Sequence, residues 1–211
     1  MTAKQNSFAN DAIRVSFDGT ICAHAGYCFN ELHAVFDGDR DPPIDLAGAP
    51  LEEIIRVVEL CPSSALTYER LDAGLPEQPP QQAVARVVPN GPLAIRGQLT
   101  LNDQEYSRLT LCRCGESKNK PFCDGSHKQH NFESGEYAQQ AIPAEAASGG
   151  AVAVMPKENG PVILKGEVTY QTVSGDVISR KAASGLCRCG QSKTKPFCDG
   201  SHNAAGFSSA N

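Results

Sequence analysis

The chain has 211 residues, nine cysteines, no tryptophan and a formal net charge of −5. This acidic balance argues against a nucleic-acid partner, which ordinarily meets a basic face. No apolar run approaches the roughly 18 residues that a membrane helix needs, and the first residues lack the basic and apolar regions of a signal peptide. We therefore expect a cytoplasmic protein with no membrane partner.

The N-terminal region combines strand and helix patterns. Ile13–Gly19 alternates apolar and polar residues, which predicts a strand. Leu51–Leu60 places apolar residues at helical spacing, Cys61-Pro62 ends this helix, and a second strand follows. We predict an α+β domain over residues 10–72, followed by a Pro/Gln-rich linker over residues 73–83.

Two later segments resemble each other. NGPLAIRGQLTL (Asn90–Leu101) and NGPVILKGEVTY (Asn159–Tyr170) both alternate apolar and polar residues after a turn-forming Asn-Gly-Pro. This pattern predicts two strands. Gly97 and Gly166 occupy the same place in them and indicate bulges or a close approach of another backbone.

The similarity extends over two small β-rich parts of the chain. The first repeat is predicted to cover residues 84–133 and the second repeat residues 152–208. The stretch between them, residues 134–151, is rich in Ala, Gly, Gln and Glu and is predicted to be a loose linker.

Each repeat contains almost the same sixteen residues. CRCGESKNKPFCDGSH spans Cys112–His127 and CRCGQSKTKPFCDGSH spans Cys187–His202, both with the spacing C-x-C-x8-C-x3-H. Three thiolates and one imidazole suit zinc or an iron–sulfur cluster. Structural zinc sites favour C-x2-4-C spacing, whereas C-x-C places two sulfurs close together on one strand, where they could hold one iron of a binuclear cluster. A secreted disulfide scaffold is the remaining alternative, and the histidine repeated with the cysteines argues against it.

The full pattern C-x-C-x2-Ser-x3-Pro-x-Cys-Asp-Gly-Ser-His resembles that of CDGSH iron–sulfur proteins. The resemblance implies a [2Fe–2S] cluster in each repeat. It also implies the ligands Cys112, Cys114, Cys123 and His127 for the first site, and Cys187, Cys189, Cys198 and His202 for the second. Family members with one motif are dimers, so two motifs in one chain resemble that dimer fused into a monomer. The expected fold class is α+β: a ferredoxin-like domain followed by two CDGSH units that form an intrachain pseudo-dimer.

The other residues of the motif lead to separate predictions. Asp124 and Asp199 are predicted to cap the start of a helix. Ser117 and its equivalent, Ser192, are expected to hydrogen-bond either a sulfur or the loop backbone. Basic residues such as Arg113 either lie on a solvated loop or screen an anionic centre. A histidine ligand can couple electron uptake to proton uptake and is also the point at which acid opens the site.

The N-terminal cysteines carry a second resemblance. ICAHAGYC and the later ELCPSSAL resemble the C-x2-C-x2-C…C-P arrangement of ferredoxins, specifically the divergent mono-cluster type. The resemblance implies a cluster held by Cys22, Cys28 and Cys61. Ala25 stands where the second cysteine would be, which favours [3Fe–4S]; a [4Fe–4S] cluster would need a fourth ligand, and His24 is one residue out of place. The alternative is a domain that has lost its cluster and keeps these cysteines as small buried apolar residues.

These sites lead to three hypotheses of function. The first is a non-enzymatic electron-transfer protein that meets redox partner proteins. The second is storage or delivery of clusters to apo-acceptors, or sensing of redox state and pH. The third is a zinc-bound interaction module. An enzyme is not expected, because no nucleophile–base set, phosphate loop or nucleotide fingerprint is visible.

Overall fold

The computed structural model describes residues 6–135, 137 and 149–210. The chain divides into two compact units, Met1–Gln78 and Pro79–Asn211, called here the N-terminal and C-terminal units. Helices and strands occur in both, and the predicted α+β class is confirmed. The boundaries proposed for the separate domains stay a prediction, and most of the linker predicted over residues 134–151 lies outside the described residues.

The N-terminal unit is a small antiparallel sheet covered by helices. Its elements are β1 (Asn6–Ala9), β2 (Ile13–Phe17), α1 (Tyr27–Glu31), α2 (Leu51–Leu60) and β3 (Leu66–Arg70). The strands lie in the order β1-β2-β3. The predicted helix α2 is confirmed, and its apolar residues enter the core because they recur at helical spacing. The helix ends where the Cys61 amide donates to the Val58 carbonyl at 3.1 Å.

The C-terminal unit is built on one six-stranded mixed sheet. Its strands are β4 (Ala83–Val87), β5 (Leu93–Leu101), β6 (Gln104–Leu111), β7 (Val152–Pro156), β8 (Val162–Gln171) and β9 (Val177–Leu186), followed by the short helix α3 (Ser201–Ala204). In each repeat the two long strands, β5 with β6 and β8 with β9, form an antiparallel hairpin. Their alternating apolar residues fill a single core.

The two repeats exchange strands. β4 of the first repeat pairs antiparallel with β5 and also parallel with β8 of the second repeat. β7 of the second repeat correspondingly pairs antiparallel with β8 and parallel with β5. Each repeat therefore completes the sheet of the other, which is the arrangement expected of an intrachain pseudo-dimer.

The predicted bulges lie where this exchange occurs. The register shifts between Arg96 and Leu99 in one hairpin and between Lys165 and Val168 in the other. A Cβ atom on Gly97 would lie 2.8 Å from the Ala83 Cβ in β4. Glycine at this place lets the incoming strand approach the hairpin closely.

Candidate metal centres

In the C-terminal unit, each predicted ligand set forms two close pairs. The Sγ atoms of Cys112 and Cys114 are 3.6 Å apart, and the Cys123 Sγ lies 3.4 Å from His127 Nδ1. The second site repeats these values, with 3.7 Å between the Cys187 and Cys189 sulfurs and 3.4 Å from the Cys198 Sγ to His202 Nδ1. Two ligands on one tetrahedral metal with bonds of about 2.3 Å lie roughly 3.8 Å apart. Each pair therefore has the separation that one metal ion needs.

The ligands of each site are grouped in pairs. Within the described part of the chain, no three His, Cys, Asp or Glu side chains group around a place for one metal ion. A tetrahedral zinc site would bring four ligands together. Two pairs per site instead fit a binuclear cluster, in which each metal takes two protein ligands. All nine cysteines are free thiols rather than disulfides.

A serine holds the loop between the second and third cysteines. The Ser117 hydroxyl donates to the Phe122 carbonyl at 2.7 Å and accepts from the Asn119 amide at 3.1 Å. Ser192 makes the same two contacts in the second repeat. Of the two partners expected from sequence, these side chains therefore bond the loop backbone, and they fix the loop that delivers the third cysteine.

The aspartates of the motif join two parts of the same loop. Asp124 accepts the Lys118 amide at 2.8 Å and the Ser126 amide at 3.0 Å, and Asp199 has equivalent partners. The prediction that they are helix caps was wrong in detail, because Gly125 and Gly200 occupy the N-cap positions with positive φ. Burial raises the pKa of Asp124, but its hydrogen bonds outweigh that effect and hold the pKa below its ordinary value.

Arg113 and Arg188, the residues between the paired cysteines, are buried. Arg113 is 3% exposed, donates through Nε to the Gly91 carbonyl at 2.8 Å, and lies over the Phe132 ring. Arg188 makes the equivalent contacts in its own repeat. Burial lowers the pKa of Arg113, and the neighbouring thiols, including Cys187 of the other repeat, oppose that shift. The interpretation of Arg113 as a residue of a solvated loop is thus wrong.

The two sites are neighbours in one structural unit. Gly115 and Gly190 follow the paired cysteines and have φ values of +91° and +79°. A Cβ on Gly190 would lie 2.8 Å from the Cys114 carbonyl oxygen, and one on Gly115 would lie 3.2 Å from the Cys189 carbonyl oxygen. The two chain segments that hold the paired cysteines, Cys112–Gly115 and Cys187–Gly190, are called here the ligand strands. They therefore pack backbone against backbone. Sequence reasoning missed this role of the glycines, although their invariant place after C-x-C in both repeats was a usable signal.

The three N-terminal cysteines line one pocket. Cys22 follows a 3-10 turn, Cys28 lies in α1, and Cys61 follows the last turn of α2. The pocket also contains Ala25, the residue at the place of the missing cysteine. Burial raises the pKa of the thiols of Cys22 and Cys28.

The N-terminal cysteines lie at the edge of the core, and hydrogen-bond donors lie beside one of their sulfurs. All three are half-buried, and Cys28 and Cys61 pack against the N-terminal core. The Leu66 amide donates to the Cys61 Sγ at 3.5 Å, and the Ser63 hydroxyl lies 3.7 Å from it. His24 is exposed and lies outside the pocket lining. His33 is exposed and pairs with Asp37 at 3.8 Å.

Comparison with known families agrees with these sites. Residues 90–128 and 159–203 match the family described as iron-binding zinc finger CDGSH type. Residues 8–71 match the family described as divergent 4Fe-4S mono-cluster. By class, the chain is an iron–sulfur protein. More closely, it has two CDGSH segments in tandem and an N-terminal domain of the divergent mono-cluster type.

Similar curated proteins match a short stretch of the chain. The CDGSH iron-sulfur domain protein of Drosophila melanogaster is 48% identical over 29 residues, and a CDGSH iron-sulfur domain-containing protein 2 homolog of Drosophila persimilis is 56% identical over 29 residues. Each match covers 14% of this chain and 22% of the relative, so the chain spans about a fifth of the length of these relatives. No solved structure matches the chain significantly. None of the helices in the described ranges has the length and apolar character to cross a membrane.

Proposed function

We propose that this protein transfers electrons through two [2Fe–2S] clusters in its C-terminal unit and a [3Fe–4S] or [4Fe–4S] cluster in its N-terminal unit. The observation that carries the proposal is the two-plus-two pairing of ligands at each C-terminal site. The ligands of the first site would be Cys112, Cys114, Cys123 and His127, and those of the second Cys187, Cys189, Cys198 and His202. Such clusters, when bound, supply one-electron redox chemistry.

Residues around the C-terminal sites suit centres that gain and lose negative charge. The amides of Glu116 and Gly125 donate to the sulfurs of Cys114 and Cys123, each at 3.4 Å. These N–H groups stabilise negative charge on sulfur. The buried guanidinium of Arg113 adds a positive charge beside Cys112, Cys114 and Cys187. Close packing of the two ligand strands would keep both clusters within one unit, where electrons could pass between them.

The histidines face the sites through one ring nitrogen. Nδ1 of His202 lies next to the Cys198 sulfur, whereas Nε2 lies 3.8 Å from the position that a Gly160 Cβ would occupy. Nδ1 would therefore be the ligand atom, and Nε2 would remain to hold or release a proton. This division of roles supports coupling of proton and electron uptake.

The N-terminal unit would hold its cluster with Cys22, Cys28 and Cys61. Three thiols around one pocket with an alanine at the fourth place favour [3Fe–4S]. The family match to 4Fe-4S domains supports [4Fe–4S] as the other form. This centre would serve the same redox function and would require no catalytic residue. We propose that the whole protein is a monomeric electron carrier that meets redox partner proteins.

Cluster storage, delivery or sensing is the second candidate. Cys198 and His202 are half-buried, which would give an apo-acceptor or a proton access to one edge of a site. In that case the cluster would be cargo rather than a resident redox group. Zinc-bound interaction is the weaker alternative, because the ligands group in pairs.

The test is metal and sulfide analysis of anaerobically purified full-length protein. Two [2Fe–2S] clusters would contribute about four irons and about four sulfides, in addition to the N-terminal cluster. Zinc equimolar with the sites and an absence of sulfide would refute the proposal. Mixing the loaded protein with an apo-ferredoxin then separates the two candidates, since only delivery moves the cluster to the acceptor while an electron carrier keeps it.

A further inference from the structure

The two C-terminal sites differ at one position beside their third cysteine. The Cys123 amide donates to the Thr110 carbonyl at 2.9 Å, and the Cys198 amide donates to the Gly185 carbonyl at 2.8 Å. The backbone hydrogen bond is the same, but the first repeat has a threonine where the second has a glycine. This difference lies within an otherwise duplicated set of contacts.

The ladder places the Thr110 side chain next to Cys123. Leu111 and Phe122 form an antiparallel bridge, and the Cys112 amide donates to the Pro121 carbonyl at 2.9 Å. Thr110 is therefore directly opposite Cys123, and side chains of opposed residues lie on one face about 5 Å apart. The second repeat supports this geometry, because a Cβ on Gly185 would lie 4.0 Å from the Cys198 Cβ.

The third cysteine is more deeply buried in the first repeat, which has the threonine, than in the second repeat, which has the glycine. Thr110 is 1% exposed and Cys123 is 3% exposed. Cys198, which has only a glycine opposite it, is half-buried. The threonine side chain thus covers the first site at a place where the second site is open.

The Thr110 hydroxyl is buried without a partner among the described residues. Its Oγ1 is buried and has no hydrogen bond to any residue that the structure describes. A buried hydroxyl without a partner costs about 1–3 kcal/mol, so an acceptor supplied by a bound group would relieve that cost. Thr110 shares its face with Cys123 across the ladder and with Cys112 along the strand. No cysteine sulfur accepts the hydroxyl, so the acceptor on that face would be a sulfide of the bound cluster.

From this geometry we infer that Thr110 makes the two centres unequal. At the first site Thr110 covers Cys123, so this site retains its cluster, and its hydroxyl would donate to a sulfide of the bound cluster, which raises the reduction potential of that cluster. At the second site Gly185 leaves Cys198 open, and this site releases its cluster first. The inference rests on the proposed iron–sulfur function and assigns different roles to the two centres.

Exchanging the two residues tests the covering role. Gly185 has no positive φ, and the nearest atoms to its Cβ position lie 3.5–4.0 Å away, so the Cβ of a threonine or valine is accommodated. Loss of visible absorbance from the loaded full-length protein in excess EDTA should show a fast and a slow phase for the C-terminal clusters. Gly185→Thr and Gly185→Val should both slow the fast phase several-fold, and Thr110→Gly should speed the slow phase.

Removing only the hydroxyl tests the hydrogen bond. Thr110→Val keeps the cover, so the slow phase should not change. The hydrogen bond stabilises the more negative, reduced state of the cluster. Its loss should lower the equilibrium constant for reduction of one cluster by about fivefold, the effect of about 1 kcal/mol. At 59 mV per tenfold step, one of the two potentials should fall by about 40 mV while the other stays constant.

The outcomes separate this inference from the proposed function. Protein without iron and sulfide would refute the proposed function itself. Protein with both C-terminal clusters that loses them at one rate, unchanged by Gly185→Thr and Gly185→Val, would refute the covering role alone. Unchanged potentials in Thr110→Val would refute the hydrogen bond. The Gly185 variants remain informative even if Thr110→Gly does not fold.

Discussion

The contact between the two ligand strands depends on Gly190, and alanine at this position should weaken the C-terminal unit. The φ of Gly190 is +79°, and the added Cβ would lie 2.8 Å from the Cys114 carbonyl oxygen. That is about 0.6 Å nearer than the 3.4 Å at which ordinary contact begins. Because the opposing atom is backbone, the two ligand strands must separate to admit the methyl group.

Two other glycines provide matched comparisons. Gly175, in the turn between β8 and β9, has φ of +98° and no described atom within 4 Å of its Cβ position. Gly115 is intermediate, with φ of +91° and a nearest contact of 3.2 Å. All three alanine variants pay about 1–2 kcal/mol for the left-handed backbone. Only in the Gly190 variant does the added methyl group overlap a backbone oxygen at less than 3 Å. This overlap costs about 1–3 kcal/mol more.

Thermal unfolding of the three variants under identical loading measures this difference. Each kcal/mol lowers the Tm by about 4 °C for a unit of this size. Gly190→Ala should therefore melt about 4–12 °C below Gly175→Ala, with Gly115→Ala between them. A Gly190→Ala Tm equal to or above that of Gly175→Ala would refute the argument that the two ligand strands pack backbone against backbone.

Three further predictions concern the sites and their surroundings. Replacing both His127 and His202 with Cys should slow the loss of the C-terminal clusters at mildly acidic pH, because imidazole must be free of a proton to bind metal; unchanged absorbance decay would show that these histidines are not ligands. Ala25→Cys should convert the N-terminal cluster to [4Fe–4S] because Ala25 lines the pocket of the three cysteines, and loss of the [3Fe–4S] EPR signal of the oxidised protein would report the change. Hydrogen bonding from Arg70 holds the pKa of Asp72 well below its ordinary value, so its stabilisation of the N-terminal unit is complete above about pH 4 and is lost as the pH falls further. When the pH is lowered, the Tm of Asp72→Asn should fall less than the Tm of the parent protein. Equal decreases in Tm would contradict the role of the Arg70–Asp72 pair.

The sequence alone predicted much of the local structure. The helix Leu51–Leu60, the strand patterns after both Asn-Gly-Pro turns and the bulges at Gly97 and Gly166 follow from periodicity and glycine placement, which act over a few residues. The ligand motifs were also visible, because a metal centre requires particular residue types at fixed spacing. These features need no knowledge of distant contacts.

Only the tertiary structure decided how the repeats combine and how their sites differ. Strand exchange pairs residues that are far apart in the chain, such as Ala83 with Val168 and Leu99 with Val152, and alternation within a strand does not specify its neighbour. Gly125 and Gly200, not the aspartates, occupy the N-cap positions. Each carboxylate also accepts an amide from across its loop, a contact that residue spacing does not show. Thr110 and Gly185 looked unremarkable in sequence. Their importance arises because the antiparallel ladder places each opposite a cysteine thirteen residues later in the chain.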